Sequence, residues 1–489
     1  MTLNVLFITL DQFRGDCLSI ADHPVVKTPN LDRLAQKGVR FARHYSQASP
    51  CAPGRASLYT GMYQMNHRVV ANGTPLDASF DNVALMARRA GYAPALFGYT
   101  DQAIDPRVTD SADDPRLSTY EGVLPGFDSE VDLTQQFDPW REWLQAQGFN
   151  TNMGIGRLLL TENERPAEAS VSSFLINELL SWIEKQEQGW FAHASFIRPH
   201  PPYSAAGHFS TMYDPATVGL PIAPAESVHP FHEIMLALDN TKAPTDPAEL
   251  AHMRAQYFGM ISEVDAQLGR VWDALEESGQ WENTVIIVTA DHAELLGDHG
   301  LKEKVGYWET SQHIVSIVRD PRKAQAHGTV VRAFTENVDI MPTLCDMLDQ
   351  PVPAQCDGLP LTPYLAGEEP PFWRDAAHWE YDWRSTLIPV YPHDTPWKRH
   401  LDSMSLAVLR SDTHAYVQFA DGDWLCFDLA ADPTWRTLTT DPAVVLPLTQ
   451  AMLQWRMKNT NRTLSGFLVE DGGTGRWPTD VAWRSATSE

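Results

Sequence analysis

No C-x-x-C pair occurs among the five cysteines of this chain, Cys17, Cys51, Cys345, Cys356 and Cys426. Cysteines this sparse and odd in number build neither a disulfide framework nor a thiolate zinc site. No apolar run approaches bilayer length, so no membrane partner is expected. Basic residues are scarce: 37 Lys and Arg against 63 Asp and Glu leave a formal net charge of −26. A surface this negative repels nucleic acid and anionic lipid. An anionic substrate would therefore need positive charge concentrated at its site by Arg, Lys or a metal ion. The apolar stretch at residues 4–10 has no basic region before it and no small-residue cleavage site after it. It reads as a buried strand rather than a signal peptide, and a cytoplasmic location is the expectation. The sequons at Asn72 and Asn461 are then chance matches.

What is present fits a large core: 43% of the 489 residues are hydrophobic and only 20% are charged. Short apolar runs at 5–10, 92–97, 190–197, 284–289 and 314–318 are separated by helical patterns. Runs this apolar predict strands buried on both faces, as in a large, mainly parallel sheet flanked by helices. Thr28-Pro29 starts one helix and Gly38 ends it; Asp246-Pro247 opens a long one that runs to about Ser278-Gly279. This α/β catalytic domain is expected over residues 1–370. After Pro370-Pro371 the pattern changes. Candidate strands at 405–410, 414–419 and 424–429 read as an antiparallel meander, and a helix at about 443–459, disturbed by Pro447, could cover it. Residues 371–489 are thus expected to form a smaller α+β subdomain, without clear pattern beyond about Leu464.

The chemistry-bearing residues cluster at strand ends. Cys51-Ala52-Pro53-Gly54-Arg55 is expected in a loop before a helical segment ending at Thr60-Gly61. C-x-P-x-R should occur by chance about 0.02 times in a chain of this size, from typical residue frequencies. Asp11-Gln12 directly follows the first strand, and Asp291-His292 follows the run at 284–289. Gly297-Asp298-His299-Gly300 and Lys304 come soon after. Taken singly, Asp11 reads as a helix cap and His292 as a satisfied buried histidine. Two strand-end pairs together with the cysteine motif reverse that reading, because ligands collect at the carboxyl ends of strands in open α/β sheets.

These motifs resemble those of the type I sulfatases, and more narrowly the arylsulfatase and phosphonate monoester hydrolase group of the alkaline phosphatase superfamily. The resemblance covers most of the first 320 residues. Phe196-Ile197-Arg198-Pro199-His200-Pro201-Pro202-Tyr203 is similar to a strand-end loop of the phosphonate monoester hydrolases, which implies that His200 contacts substrate. Phe97-Gly98-Tyr99-Thr100 resembles a further substrate-facing stretch, placing Tyr99 and Thr100 in the pocket with Asp101 beside them. Lys304 matches the family's pocket lysine. The resemblance implies that a formylglycine-generating enzyme oxidises Cys51 to formylglycine. It also implies a homo-oligomer, dimer or tetramer, assembled through the C-terminal region.

An aldehyde suits this chemistry. Hydrated, it carries two hydroxyls on one carbon: one attacks sulfur or phosphorus and displaces the alcohol, and the other then expels the acid group. Asp11, Gln12, Asp291, His292 and the derivative of Cys51 are the expected metal ligands. Arg55 would hold the second hydroxyl. Asp291 would accept the nucleophile's proton, and His200 or Lys304 would assist the leaving oxygen. His299 and His67 read as supporting or structural. The mixed donor set favours manganese or calcium, with zinc and magnesium open. An inward Asp101 would disfavour doubly charged esters. The expected substrates are therefore monoanionic: sulfate esters, phosphonate monoesters and phosphodiesters. Three alternatives remain at this point. One is a phosphatase or phosphomutase using Ser or Thr and two metals; the others are a non-catalytic relative and an unmodified Cys51 thiol acting as nucleophile or redox sensor.

Overall fold

The computed structural model describes residues 2–225, 229–387 and 403–461, with the strand pair at 468–469 and 475–476. Residues 226–228, 388–402 and most of the tail beyond Leu464 lie outside the described residues.

Asn4–Leu10 forms the centre of an eight-stranded sheet. Across the sheet the order is Thr329–Val331, Val39–Phe41, Ser316–Arg319, Thr284–Thr289, Asn4–Leu10, Phe191–Phe196, Pro94–Gly98 and Asp128–Asp132. Ser316–Arg319 runs antiparallel to both neighbours, while the other pairings are parallel. The unbroken apolar runs follow from burial on two sides. In the central strand Leu6, Ile8 and Leu10 face one core, while Val5 and Phe7 face the other. Thr284–Thr289 divides in the same way, with Ile286 and Val288 against Val285 and Ile287.

The run at 314–318 is not one strand. His313–Ile314 pairs with His44–Tyr45 in a small sheet, whereas Ser316–Arg319 joins the large one. A continuous apolar run carries no mark of the sheet to which each half belongs. The expected loop around Cys51 is also corrected: Cys51 is the first residue of the helix Cys51–Thr60. Pro53 falls in the first turn, where a backbone N–H has no intrahelical acceptor. Gly61, with φ 71°, closes the helix in the left-handed region.

A second sheet has five strands, in the order Trp424–Asp428, His414–Phe419, Ser405–Ser411, Ala376–Asp382 and Ala48–Ser49, antiparallel except for the parallel pairing of the last two. The helix Pro442–Lys458 contains Pro447 and packs Val445, Met452 and Trp455 against Leu409, Tyr416 and Cys426 of that sheet. Its last strand comes from the N-terminal part of the chain and ends two residues before Cys51. One sheet thus crosses the boundary expected at residue 370.

The 31-residue helix Pro247–Glu277 carries a titratable group in the core, Glu263, which is 0% exposed. Burial first and Glu162 second push its carboxyl up to about 7. The folded state therefore binds this proton more tightly than the unfolded chain. The stability that it contributes is present below about pH 4.5 and lost as pH rises through about 7. Glu263→Gln should remove that loss, on the order of 2 kcal/mol between pH 5.5 and 8. Urea midpoints of both proteins at the two pH values check this, and an identical pH response would contradict it.

Candidate active site

Four neighbouring strands end at the site. Asp11 and Gln12 follow Asn4–Leu10, Asp291 and His292 follow Thr284–Thr289, Tyr99 follows Pro94–Gly98, and the loop to His200 follows Phe191–Phe196. Cys51 enters from the helix that it begins. A Cβ on Gly54 would lie 2.5 Å from the Asp291 carbonyl oxygen and 2.9 Å from that of Ala48. Only glycine lets this helix lie so close to the Asp291 strand end.

Asp11, Cys51, Asp291 and His292 each offer one ligand atom, all within 4.8 Å of one another, and all four are buried. His292 Nε2 lies 3.3 Å from Cys51 Sγ, 3.6 Å from Asp291 Oδ2 and 3.9 Å from Asp11 Oδ1. Among the described residues, Asp11 Oδ1 is buried without a hydrogen-bond partner. A buried carboxylate oxygen without a donor is costly unless a cation meets it. Two carboxylates and an imidazole form a donor set suited to a divalent ion. Burial pushes the His292 imidazole down to about 3, and Lys304 adds to the fall, so the ring is neutral as a ligand requires. Burial resists ionisation of Asp11, but His200, Arg55, His292 and Lys304 outweigh it and hold its carboxyl well below the usual range. Burial and the neighbouring Asp11 push Asp291 up to about 7. The pair thus concentrates negative charge that an added cation would relieve.

Arg55 was expected to hold a hydroxyl. Its guanidinium joins the two carboxylates. It donates to Asp291 Oδ2 at 2.9 Å, Asp11 Oδ2 at 3.0 Å, Ser195 Oγ at 2.8 Å and the Tyr99 carbonyl at 3.2 Å. Tyr99 is likewise turned to the carboxylates: its hydroxyl donates to Asp11 Oδ2 at 2.5 Å, and its ring lies under Arg55. Thr100 does not face a pocket. It is 0% exposed, donates to the Gly122 carbonyl and accepts from Leu124 N–H. Its threonine character serves the loop at 101–126 rather than substrate.

Asp101 is buried, with φ 54°. Burial pushes its carboxyl up to about 7, with Asp11 and Glu121 adding to the rise against the pull of Arg55. Its charge is also felt at Cys51, where it adds to the rise of the thiol.

Lys304 Nζ is 2.7 Å from both His200 Nε2 and Gln12 Oε1. His200 Nδ1 lies 2.6 Å from the Pro201 carbonyl and donates to it, so Nε2 accepts from Lys304. Burial and Lys304 push His200 down, whereas Cys51, Glu303, Asp11 and Asp291 overcome burial to raise Lys304. Lys304, not His200, holds the proton of this pair.

His67 bonds Ser57 Oγ at 3.0 Å, deep in the core. His299 lines a separate cavity of about 180 Å³ with Asp16, Glu309 and His313. Several residues of the site went unread in the sequence. Asn72 Oδ1 accepts from Ala52 N–H at 3.0 Å, and Tyr257 donates to the Gln12 carbonyl at 2.6 Å. Glu294 accepts from the Gln12 side chain. An acid within Ala293-Glu294-Leu295-Leu296, three residues after Asp291, was the one available signal for the last.

Residues 3–350 match the family model described as Sulfatase, and residues 297–458 match the model described as N-sulphoglucosamine sulphohydrolase, C-terminal. The multifunctional alkaline phosphatase superfamily protein PehA of Trinickia caryophylli is 35% identical, over 95% of this chain and 97% of its own. The phosphonate monoester hydrolase of Agrobacterium radiobacter superposes with a TM-score of 0.87 at 40% identity, covering 97% of this chain and 100% of that one. The phosphonate monoester hydrolase of Silicibacter pomeroyi gives a TM-score of 0.88 at 36% identity, covering 98% and 99%. Among the described residues no helix is long and apolar enough to cross a membrane. The chain belongs to the sulfatase family of the alkaline phosphatase superfamily and is a hydrolase of sulfate or phosphonate esters.

Proposed function

We propose that this protein hydrolyses monoanionic sulfate esters, phosphonate monoesters and phosphodiesters, with formylglycine at position 51 and one divalent cation. The observation that carries the reading is the buried cluster of Asp11, Cys51, Asp291 and His292, whose ligand atoms lie within 4.8 Å of one another. The Cys51 thiol stands where an oxygen of the hydrated aldehyde would stand after oxidation by a formylglycine-generating enzyme. Formylglycine supplies two hydroxyls on one carbon, one to displace the alcohol and one to release the acid group. A bound cation, manganese or calcium before zinc or magnesium, lowers the pKa of a hydroxyl and neutralises charge on the transferred group. Asp11, Gln12, Asp291 and His292 are the residues that would hold it.

The remaining roles belong to side chains of the chain itself. Arg55 keeps the Asp11 and Asp291 carboxylates together and favours the ionised form of each. Asp291 takes the proton from the attacking hydroxyl. Lys304 faces the leaving oxygen with its charge, and His200 fixes the direction of its ammonium group. The C-terminal sheet meets the strand before Cys51 and also serves in assembly as a dimer or tetramer. The protein acts in the cytoplasm. Residues 1–370 and 371–489 are its catalytic and C-terminal parts.

Asp101 sets the preferred charge. A buried carboxyl whose charge is felt at position 51 penalises a second negative charge on substrate. Aryl sulfate, aryl phenylphosphonate and bis-aryl phosphate should each be turned over faster than aryl phosphate. Asp101→Asn should raise aryl phosphate turnover by about tenfold relative to the other three, the size expected for one partly screened charge. Side-by-side kcat/KM values for the four esters test both statements. Aryl phosphate as the best substrate of the unsubstituted enzyme would overturn this reading of the pocket.

A further inference from the structure

The side-chain amide of Gln12 can face its neighbours in two ways, and the surroundings permit one. Gln12 itself is held in the left-handed region at φ 71°, with its carbonyl accepting from Tyr257 and its N–H donating to Asp291 Oδ1 at 3.1 Å. Beyond the backbone, Oε1 accepts from Lys304 Nζ at 2.7 Å. Nε2 donates to Glu294 Oε2, with Glu303 Oε2 at 3.4 Å as a weaker second acceptor. Glu294 is 0% exposed, and its other oxygen accepts from the backbone N–H groups of Leu296 and Glu303, both at 2.7 Å. The two N–H groups fix Oε1, which leaves Oε2, when the carboxyl is ionised, as the acceptor that faces Gln12. Turning the amide over would set its oxygen against a carboxylate and its NH2 against an ammonium group.

We propose that Glu294 is a positioning residue that sets the orientation of the Gln12 amide and thereby turns the amide oxygen toward Lys304 and the carboxylate cluster. This rests on the proposed role of Gln12 as a cation ligand, because only the oxygen end of an amide can serve as one. Outer partners of this kind orient the groups that hold a metal. Glu294 also reaches Lys304 indirectly: the same orientation gives the ammonium group an acceptor at Gln12 opposite His200 Nε2.

The isosteric change Glu294→Gln makes the test sharp. The new amide oxygen must face the Leu296 and Glu303 N–H groups, so its NH2 faces Gln12 and drives the Gln12 amide to flip. Adding Gln12→Glu restores an acceptor for that NH2 and returns an oxygen to the Lys304 side. Binding of Mn2+ to the full-length metal-free protein, followed by calorimetry with melting curves as a folding control, reads the effect without reference to turnover. E294Q should bind Mn2+ about tenfold or more weakly than the unsubstituted protein, and the double variant should return to within about threefold. Unchanged affinity in E294Q, or a double variant that binds no more tightly than E294Q, would overturn the proposal. If E294Q does not fold, the comparison of Q12E with the double variant decides. Q12E alone sets two carboxylates together, so the double variant should bind more tightly, and equal affinity would overturn the proposal. An unsubstituted protein that binds no Mn2+ would overturn the cation reading and this inference together. Tight binding that Glu294→Gln leaves unchanged would overturn the inference alone.

Discussion

Cys51→Ser is expected to lower steady-state ester hydrolysis by about 10⁴-fold or more, with the residual reaction stopping after one turnover. Serine is nearly the same size, and position 51 is buried at the start of a helix whose packing does not change with the substitution. The protein should therefore fold as before. What it loses is the second oxygen on the same carbon. A serine hydroxyl facing Asp11, Asp291 and His292 can still accept the acid group from substrate. Its release then requires water to attack a sulfur or phosphorus centre surrounded by oxygens, where the hydrated aldehyde would break a carbon–oxygen bond instead. A rapid burst of alcohol equal to the enzyme concentration, with a matching covalent adduct in the intact mass, would show both halves of this result. An unchanged steady-state rate would exclude an aldehyde at position 51.

The second large effect is on stability. Arg55 is 0% exposed and compensates two carboxylates that are 1% and 0% exposed. Arg55→Met should cost about 3–5 kcal/mol, because removing one partner of a buried ion network leaves uncompensated charge. Adding Mn2+ or Ca2+ should recover part of that loss in the variant and stabilise it more than it stabilises the unsubstituted protein, since the cation then supplies the missing counter-charge. Thermal or urea unfolding with and without cation reads both terms. Equal stabilisation of the two proteins would mean that the cation does not meet these carboxylates. Lysine is not an adequate substitute here, since one ammonium group cannot reach Asp11, Asp291, Ser195 and the Tyr99 carbonyl together.

Much of this arrangement was legible because strand ends and motifs coincide. Asp11 and Asp291 each stand just past an apolar run, and parallel strands bring such positions to one edge. The cysteine motif supplied the third element from a distant part of the chain. Side-chain direction was less legible. Tyr99 and Thr100 lie in the right segment, yet one hydroxyl is turned to Asp11 and the other to the Gly122–Leu124 backbone. Spacing along a strand end states where a residue is, not which partner takes its hydroxyl. Arg55 shows the same limit: four residues from Cys51 on a helix, it reaches across to both carboxylates. Glu294 was hidden for a different reason. It touches no reacting atom, and its importance comes from Gln12, 282 positions away. The long Ala376–Asp382 strand was also missed. Its alternation Ala-His-Trp-Glu-Tyr-Asp places Glu380 and Asp382 at buried positions, where pairing with Arg456 and Arg384 satisfies them. Composition alone cannot anticipate such partners.

The most direct test of the central claim is the mass of the peptide containing position 51, taken from fully active enzyme. Exchange of the thiol and one hydrogen for a carbonyl oxygen lowers that mass by about 18 Da, and the lighter peptide should account for the active fraction. Fully active enzyme whose peptide carries the unaltered cysteine mass would contradict the account.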